Sequence, residues 1–141
     1  MKDEARARLS IISKRVTPEE IDTAMGMNCD EASKIGDKGV IGEKDGKKIY
    51  STKPKEYNEW ILYSKVNKSS AIEDHLDNLI TQLASNVEQL KRLFEDCDME
   101  IVCYVSLNSC NALTISLSKK IIERIYVLDV DLSFDLFLGG V

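Results

Sequence analysis

This sequence has few of the residues on which specialised chemistry and membrane insertion depend. Its 141 residues include one histidine, two prolines and 6% aromatic residues, and acidic side chains outnumber basic ones to give a net charge of −5. A general nucleic-acid binder needs a basic face for phosphate contacts, so the charge argues against that class. No run approaches the ~20 apolar residues that a membrane span requires. We therefore expect neither nucleic acid nor a membrane among its partners.

The cysteines are few and poorly spaced for metal binding. They lie at positions 29, 97, 103 and 110 without a C-x-x-C motif, whereas zinc ligands normally come in pairs two to four residues apart. The stretch Met1–Glu4 is charged and no apolar signal-peptide core follows it. We expect a cytoplasmic protein with reduced thiols and with no metal or other cofactor.

Signatures of catalysis are also missing. The glycines at 36, 39 and 42 do not match the dinucleotide-binding spacing, and no Gly-Lys-Ser/Thr motif follows a strand. No nucleophile elbow is present either. The sequence therefore assigns no catalytic residue. What is present is the balance of an ordinary globular protein, with 43% hydrophobic and 30% charged residues, and the length fits a single domain over residues 1–141.

The longest periodic stretch runs from Ser69 to Asp98. Its apolar residues recur at steps of three and four, which marks one face of a helix. Ser70 with Glu73, and again Ser85 with Glu88, have the spacing of a capping box. The second pair predicts a kink or short break at residues 84–86. The apolar residues are Ile72, Leu76, Leu79, Leu83, Val87, Leu90 and Phe94.

Strand–helix–strand patterns flank this helix on both sides. In the first third, apolar residues alternate along Ala5–Ile11, a helix is capped by Thr17 and ended by Gly26, and a strand follows at Glu59–Lys65. Between them, Asp45-Gly46 is a hairpin signal, and short strands are expected at Lys34–Ile35, Val40–Ile41 and Lys48–Ser51.

The last third predicts two hairpin strands, one more helix and a final strand. The hairpin strands are residues 99–107 and 113–117, joined by a turn at 108–111, and Ser118 caps the helix. The final strand is Val130–Leu138 with Leu132, Phe134, Leu136 and Leu138 inward. These elements predict an α+β fold, a mostly antiparallel sheet with helices packed on one face, ferredoxin-like with extra strands.

The order of several short motifs gives the chain a resemblance to a known family. The motifs are Arg8–Ile11, Thr17–Ile21, Lys34–Asp37, Glu59–Trp60, Ile72–Leu76 and a closing strand of alternating Asp and Leu. In this order they resemble the bacterial family called domain of unknown function 4279. The resemblance supplies no catalytic residue and emphasises Gly36, Trp60 and His75. Small proteins resembling this chain occur beside bacterial toxin genes, so the resemblance implies an immunity role.

Three aspartates are the first candidate site. Asp129, Asp131 and Asp135 fall on the outward phase of the final strand, where they would face a basic protein partner such as a toxin domain. Three carboxylates are also able to hold a hard cation, and the purely structural alternative is a charged sheet face or edge that discourages strand addition. A basic segment at residues 31–56, with seven lysines against five acidic residues, is the other surface able to orient a partner.

His75 and Trp60 are the second candidate site. A lone histidine acts as a base or ligand only beside a partner fixed in space. The structural interpretation of His75 is a hydrogen-bonded core residue at the helix–sheet boundary. The functional interpretation is a ligand pocket between sheet and helices near Trp60. The leading hypothesis is a non-enzymatic protein-binding module such as a toxin-neutralising immunity protein. The second is a small-molecule-binding regulatory domain, and an enzyme is the third.

Overall fold

A computed structural model of the chain describes residues 3–93, 95–107 and 114–138. Its elements follow the predicted alternation of strands and helices closely. In chain order they are β1 (Glu4–Ser13), α1 (Pro18–Met25), β2 (Glu31–Ser33), β3 (Lys38–Lys44), β4 (Lys47–Pro54), β5 (Asn58–Tyr63), α2 (Ile72–Leu83), a 3-10 turn (Ala84–Asn86), α3 (Val87–Leu93), β6 (Asp98–Leu107), α4 (Lys119–Leu128) and β7 (Asp131–Leu138).

The main sheet has five strands in the order β2-β5-β1-β6-β7. Strand β1 lies at its centre and pairs antiparallel with both β5 and β6. Strand β7 pairs with β6 in parallel, because α4 carries the chain back across the sheet between them. Strands β3 and β4 form a separate two-stranded hairpin.

The predicted α+β class is confirmed, and the strand order adds a detail that the sequence did not predict. A ferredoxin-like sheet is built from split βαβ units, in which another strand lies between the two parallel ones. Here β6 and β7 pair directly, with no strand between them. In this respect the sheet departs from the ferredoxin-like plan.

The core lies between one face of the sheet and the helices. Alternate residues of the strands enter it, as period two requires: Leu9 and Ile11 from β1, Trp60 from β5, and Ile101 from β6 are each 0% exposed. Helix α2 meets them with the apolar stripe that the sequence predicted. Its fully buried members are Leu76, Leu79 and Leu83, and Leu90 continues the stripe on α3.

The predicted break in the long helix is confirmed, at Ala84–Asn86, where a 3-10 turn joins α2 to α3. The predicted capping box at its start is wrong. Helix α2 begins after Ala71, which offers no capping side chain, and the Glu73 carboxylate instead accepts a hydrogen bond from the backbone N–H of Ser118 at 3.2 Å. Glu73 therefore ties the start of α2 to the segment that enters α4.

The caps predicted for the two other helices are confirmed. The Thr17 hydroxyl accepts from the N–H of Glu20 at 3.2 Å, and the Ser118 hydroxyl accepts from the N–H of Ile121 at 3.3 Å. Gly26 ends α1 in the left-handed region at φ +64, where glycine carries no steric cost. These local signals depend only on neighbouring residues, which explains why the sequence alone predicted them.

The second hairpin strand predicted after β6 is wrong. Residues 114–118 form no strand, and their apolar side chains Ile115 and Leu117 pack partly buried against the core. Both sides of β6 are already occupied, by β1 and by β7, so no strand edge remains for a hairpin partner. The predicted turn at residues 108–111 lies outside the described residues.

The middle of the chain forms the Asp45-Gly46 hairpin that the sequence predicted. Both turn residues have positive φ, at 54° and 76°, as the favoured hairpin turns require. Strands β3 and β4 are longer than the short strands expected there. The strand predicted at Lys34–Ile35 is wrong, because the short strand lies at Glu31–Ser33 instead. No helix of the described residues is long and apolar enough to cross a membrane.

Candidate functional site

His75 is a hydrogen-bonded core residue, which is the structural alternative that the sequence allowed. It is 1% exposed, and its Nδ1 lies 2.8 Å from the hydroxyl of Ser64, which in turn accepts from the N–H of Ala7 at 3.1 Å. Burial lowers the pKa of the imidazole, although the backbone of Asn67 opposes the shift. The histidine therefore joins α2 to the end of β5 and to β1 from inside the core.

Trp60 is also a core residue. Its side chain is fully buried, and its indole N–H donates to Asp22 Oδ1 at 2.7 Å. The same oxygen accepts from the N–H of Cys29 at 3.0 Å, so Asp22 joins α1, β5 and the following loop. In this arrangement both Trp60 and His75 are buried in the core, and neither presents its side chain at the surface of the described residues.

The three aspartates predicted as a partner site do not lie together on one strand. Asp129 is the residue that ends α4, in the left-handed conformation at φ 54. This corrects its placement on the final strand, which begins at Asp131. Asp131 and Asp135 are exposed and point away from the helices, since the intervening Leu132 lies opposite the core residue Ile101.

Asp131 and Asp135 belong to a much larger acidic surface that the sheet register assembles. We call this surface the open face, because the helices α1–α4 cover only the other side of the sheet. It is formed by the even-numbered residues of β1 and β6 and the odd-numbered residues of β2, β5 and β7. Seven of its side chains are acidic and two are arginines: Glu4, Glu31, Glu59, Asp98, Glu100, Asp131 and Asp135 against Arg6 and Arg8.

The two arginines of the open face stack on tyrosines. The guanidinium of Arg6 lies 3.5 Å from the ring centre of Tyr63, and that of Arg8 lies 5.2 Å from the ring centre of Tyr104. Tyr104 in turn stacks on Phe137 of β7 at 6.3 Å. These side chains form a continuous row across β5, β1, β6 and β7. Burial within the row raises the pKa of both tyrosines.

The carboxylates beside this row are held by hydrogen bonds. The hydroxyl of Ser10 donates to Glu59 at 2.6 Å, and the hydroxyl of Ser133 donates to Glu100 at 3.1 Å. Glu59, Glu100 and Asp131 help to line a cavity of about 330 Å³ at the end of the open face. Because hydrogen bonds hold the Glu59 and Glu100 carboxylates in place, these two side chains would lose little conformational freedom when a cationic partner binds.

The basic segment predicted as an alternative surface is the hairpin of β3 and β4. It carries Lys38, Lys44, Lys47, Lys48 and Lys53, and several of its apolar side chains are exposed, Ile41 at 70%. At its base, the ammonium of Lys55 donates to Ser33 at 2.8 Å and lies 3.4 Å from Glu59. The hairpin is thus anchored beside the β2 edge of the sheet.

The cysteines within the described residues are free thiols. Cys97 and Cys103 are buried and Cys29 is half-buried, and burial raises the pKa of Cys103 to about 12. A thiol with that pKa stays protonated and unreactive near neutral pH. In the described ranges no group of three or more His, Cys, Asp or Glu side chains is arranged to hold a metal ion. Cys110 lies outside those ranges.

Sequence reasoning missed most of the open face. It found Asp131 and Asp135 from the alternation of the last strand but assigned no role to Arg8, Tyr104 or Glu100. The signal was present in part, because each of these residues has the outward phase of its own strand. The missing information was the register that brings strands about 90 residues apart in the chain next to each other.

Together these observations define an α+β protein with a helical layer on one face of its sheet and an acidic, aromatic open face on the other. The chain belongs to the family described as a domain of unknown function (DUF4279), whose model matches residues 3–139. No curated protein and no solved structure matches the chain. The family membership predicted from the order of the motifs is thereby confirmed.

Proposed function

We propose that this chain is a non-enzymatic protein-binding module that captures a basic partner on its open face. The observation that carries the proposal is the composition of that face, with seven carboxylates, two arginines and a row of aromatic rings. Complementary charge speeds the encounter with a basic protein, and aromatic side chains supply the apolar contact area that protein interfaces favour. Both contributions come from side chains that the sheet already fixes in place.

Among such modules, our proposal is a bacterial immunity protein that neutralises a basic toxin domain. An acidic surface that covers a basic toxin would block the toxin's contacts with its own substrate. The proposal includes a cytoplasmic location, which the free thiols of Cys97 and Cys103 support, since reduced cysteines are typical of that compartment.

The first experiment identifies the partner. The tagged chain is expressed in the native host, cross-linked there, and recovered for mass spectrometry. The proposal expects a basic protein, encoded next to this chain. Recovery of a small metabolite or a nucleic acid in place of a protein would contradict it.

The second experiment measures association rates with that partner. Replacing Asp131 and Asp135 with Asn should slow association several-fold at low salt and flatten its salt dependence, because exposed charges act mainly on the encounter. The matched control is Glu88→Gln with Glu123→Gln, which removes the same charge from exposed positions on the helical side. Equal rates for the two double variants would remove the open face from the mechanism. Loss of binding only after Lys44, Lys47 and Lys48 are changed would move the site to the hairpin.

A further inference from the structure

The two edges of the five-stranded sheet are protected very differently. At one end, β2 contributes only three residues, and Lys55 reaches across to its Ser33. At the other end, β7 runs for eight residues and pairs with β6 without a bulge. Short edge strands and edge lysines discourage the addition of another strand. Strand β7 has neither form of protection, but it carries Asp131 and Asp135, whose charge discourages the addition of any strand that does not bring a basic side chain beside them.

Strand β7 is also exposed on both of its faces. On the helix side, Phe134, Leu136 and Leu138 are 36%, 52% and 75% exposed, and on the open face Phe137 is 51% exposed. Within the described residues no segment pairs with its outer edge. An exposed apolar edge of this length is a template for strand addition, in which backbone hydrogen bonds give affinity and alternate side chains give specificity.

We infer that the outer edge of β7 binds an extended segment of the partner as an additional strand, in which basic and apolar residues alternate. The alternation follows from the two faces of β7. Side chains of an added strand would lie about 4.5–5.5 Å from their neighbours on β7. Side chains of the added strand on the open face would therefore meet Asp131, Ser133, Asp135 or Phe137, so basic residues are favoured beside the two aspartates. Those between would meet the apolar residues Leu132, Phe134, Leu136 or Leu138. The choice of basic residues rests on the function proposed above.

A second copy of this chain is a poorer occupant of the same edge. Strand β7 contains aspartates and no lysine or arginine. Pairing it with itself would place Asp131 and Asp135 of both copies on one face of the joined sheet. Like charges on neighbouring strands are destabilising, so the charge of the edge favours a basic segment.

The first test uses a synthetic peptide as the probe. It has eight residues, matching the length of β7, alternates valine with lysine, and is blocked at both ends. The control peptide has the same composition with the valines and the lysines in two separate blocks. Calorimetry should give an affinity at least about tenfold higher for the alternating peptide, because only it satisfies both faces of the strand. Equal affinities would overturn the inference.

Backbone methylation tests whether the peptide binds as a strand. In a strand, the N–H groups of successive residues point to opposite sides, so only every second one bonds to the neighbour. Two methylated versions are made, one with N-methyl groups on all valines and one with them on all lysines. One version should bind at least about tenfold more weakly than the parent peptide, since it loses its interstrand hydrogen bonds, and the other should bind with little change. Unchanged binding of both would overturn strand addition.

A charge reversal separates this inference from the proposed function. Asp131→Lys with Asp135→Lys should switch the preference to a peptide that alternates valine with glutamate, whereas Glu88→Lys with Glu123→Lys should not. If the reversed charges switch the peptide preference but N-methylation does not weaken binding, the acidic face is supported and strand addition is overturned.

If N-methylation weakens binding but the reversed charges do not switch the peptide preference, strand addition is supported and the preference for a basic partner is overturned. If the free protein sediments as a dimer that Phe134→Asp breaks, the edge belongs to a second copy and the inference fails.

Discussion

Arg8 and Leu9 are neighbours on the central strand β1, yet they lie on opposite faces of the sheet. Leu9 is fully buried under the helices, whereas Arg8 lies on the open face beside Tyr104. The same alternation separates Trp60 from Glu59 on β5 and Ile101 from Glu100 on β6. The comparison shows that each strand contributes one set of side chains to the core and another set to the open face. The covered face supplies the apolar burial that stabilises the fold, while the open face is the surface that we propose binds a partner.

The largest predicted effect tests the covered face. Ile101 is fully buried at the centre of the core, so Ile101→Ala should lower the free energy of unfolding by about 2–5 kcal/mol, through lost apolar burial and the cavity left behind. Asp131→Asn, on the open face of the neighbouring strand, should change it by less than about 0.5 kcal/mol. Urea denaturation measures both variants. Similar losses of unfolding free energy in the two variants would contradict the claim that only the covered face stabilises the fold.

The second prediction concerns the one histidine of the chain, which lies under the covered face. Burial lowers the pKa of His75 from its ordinary value of 6.5. The unfolded chain therefore binds the proton more readily than the folded one, so the contribution of His75 to stability is full above about pH 6.5 and is lost as the pH falls through the window below it.

Because the chain has a single histidine, an NMR titration of the imidazole reports this pKa without ambiguity. The midpoint should lie below 6.5 in the folded protein. A midpoint at 6.5 would mean that the imidazole is solvated, and one above 6.5 that a carboxylate stabilises its charged form. Either result would contradict its burial under the covered face.

The smallest predicted effect is at the break in the long helix. Ser85 is exposed within the 3-10 turn, and its hydroxyl accepts a hydrogen bond from the side chain of Asn86 at 3.5 Å. Ser85→Ala should therefore change the free energy of unfolding by no more than about 0.5 kcal/mol. A loss on the order of 1 kcal/mol in a urea melt would show instead that Ser85 caps α3.

The sequence was informative wherever structure depends on near neighbours. Four kinds of feature follow from residues only a few positions apart. They are the period of two along β1, β5 and β6, the apolar stripe of α2, the caps at Thr17 and Ser118, and the break at residues 84–86. The predicted strand at residues 113–117 failed for a non-local reason. Its alternation was real, but both sides of β6 were taken by strands from the two ends of the chain.

The candidate site could be predicted only in part for the same reason. The positions of Asp131 and Asp135 could be predicted because the alternation along a single strand is enough to assign them to the outward face. Asp129 was misplaced because a helix end and a strand start are adjacent there, and a single residue decides between them. The pairing of Arg8 with Tyr104 depends on register between β1 and β6, and no pattern within either strand specifies that register.

The most direct measurement of the central claim is carboxylate footprinting of the complex with the captured partner. Exposed carboxylates are converted to amides in the free and bound protein, and each site is quantified by mass spectrometry. Our account predicts that Asp131, Asp135 and Glu100 on the open face become protected, while Glu88 and Glu123 on the helical side react as in the free protein. Protection of Glu88 and Glu123 with full reaction of the open-face carboxylates would contradict it.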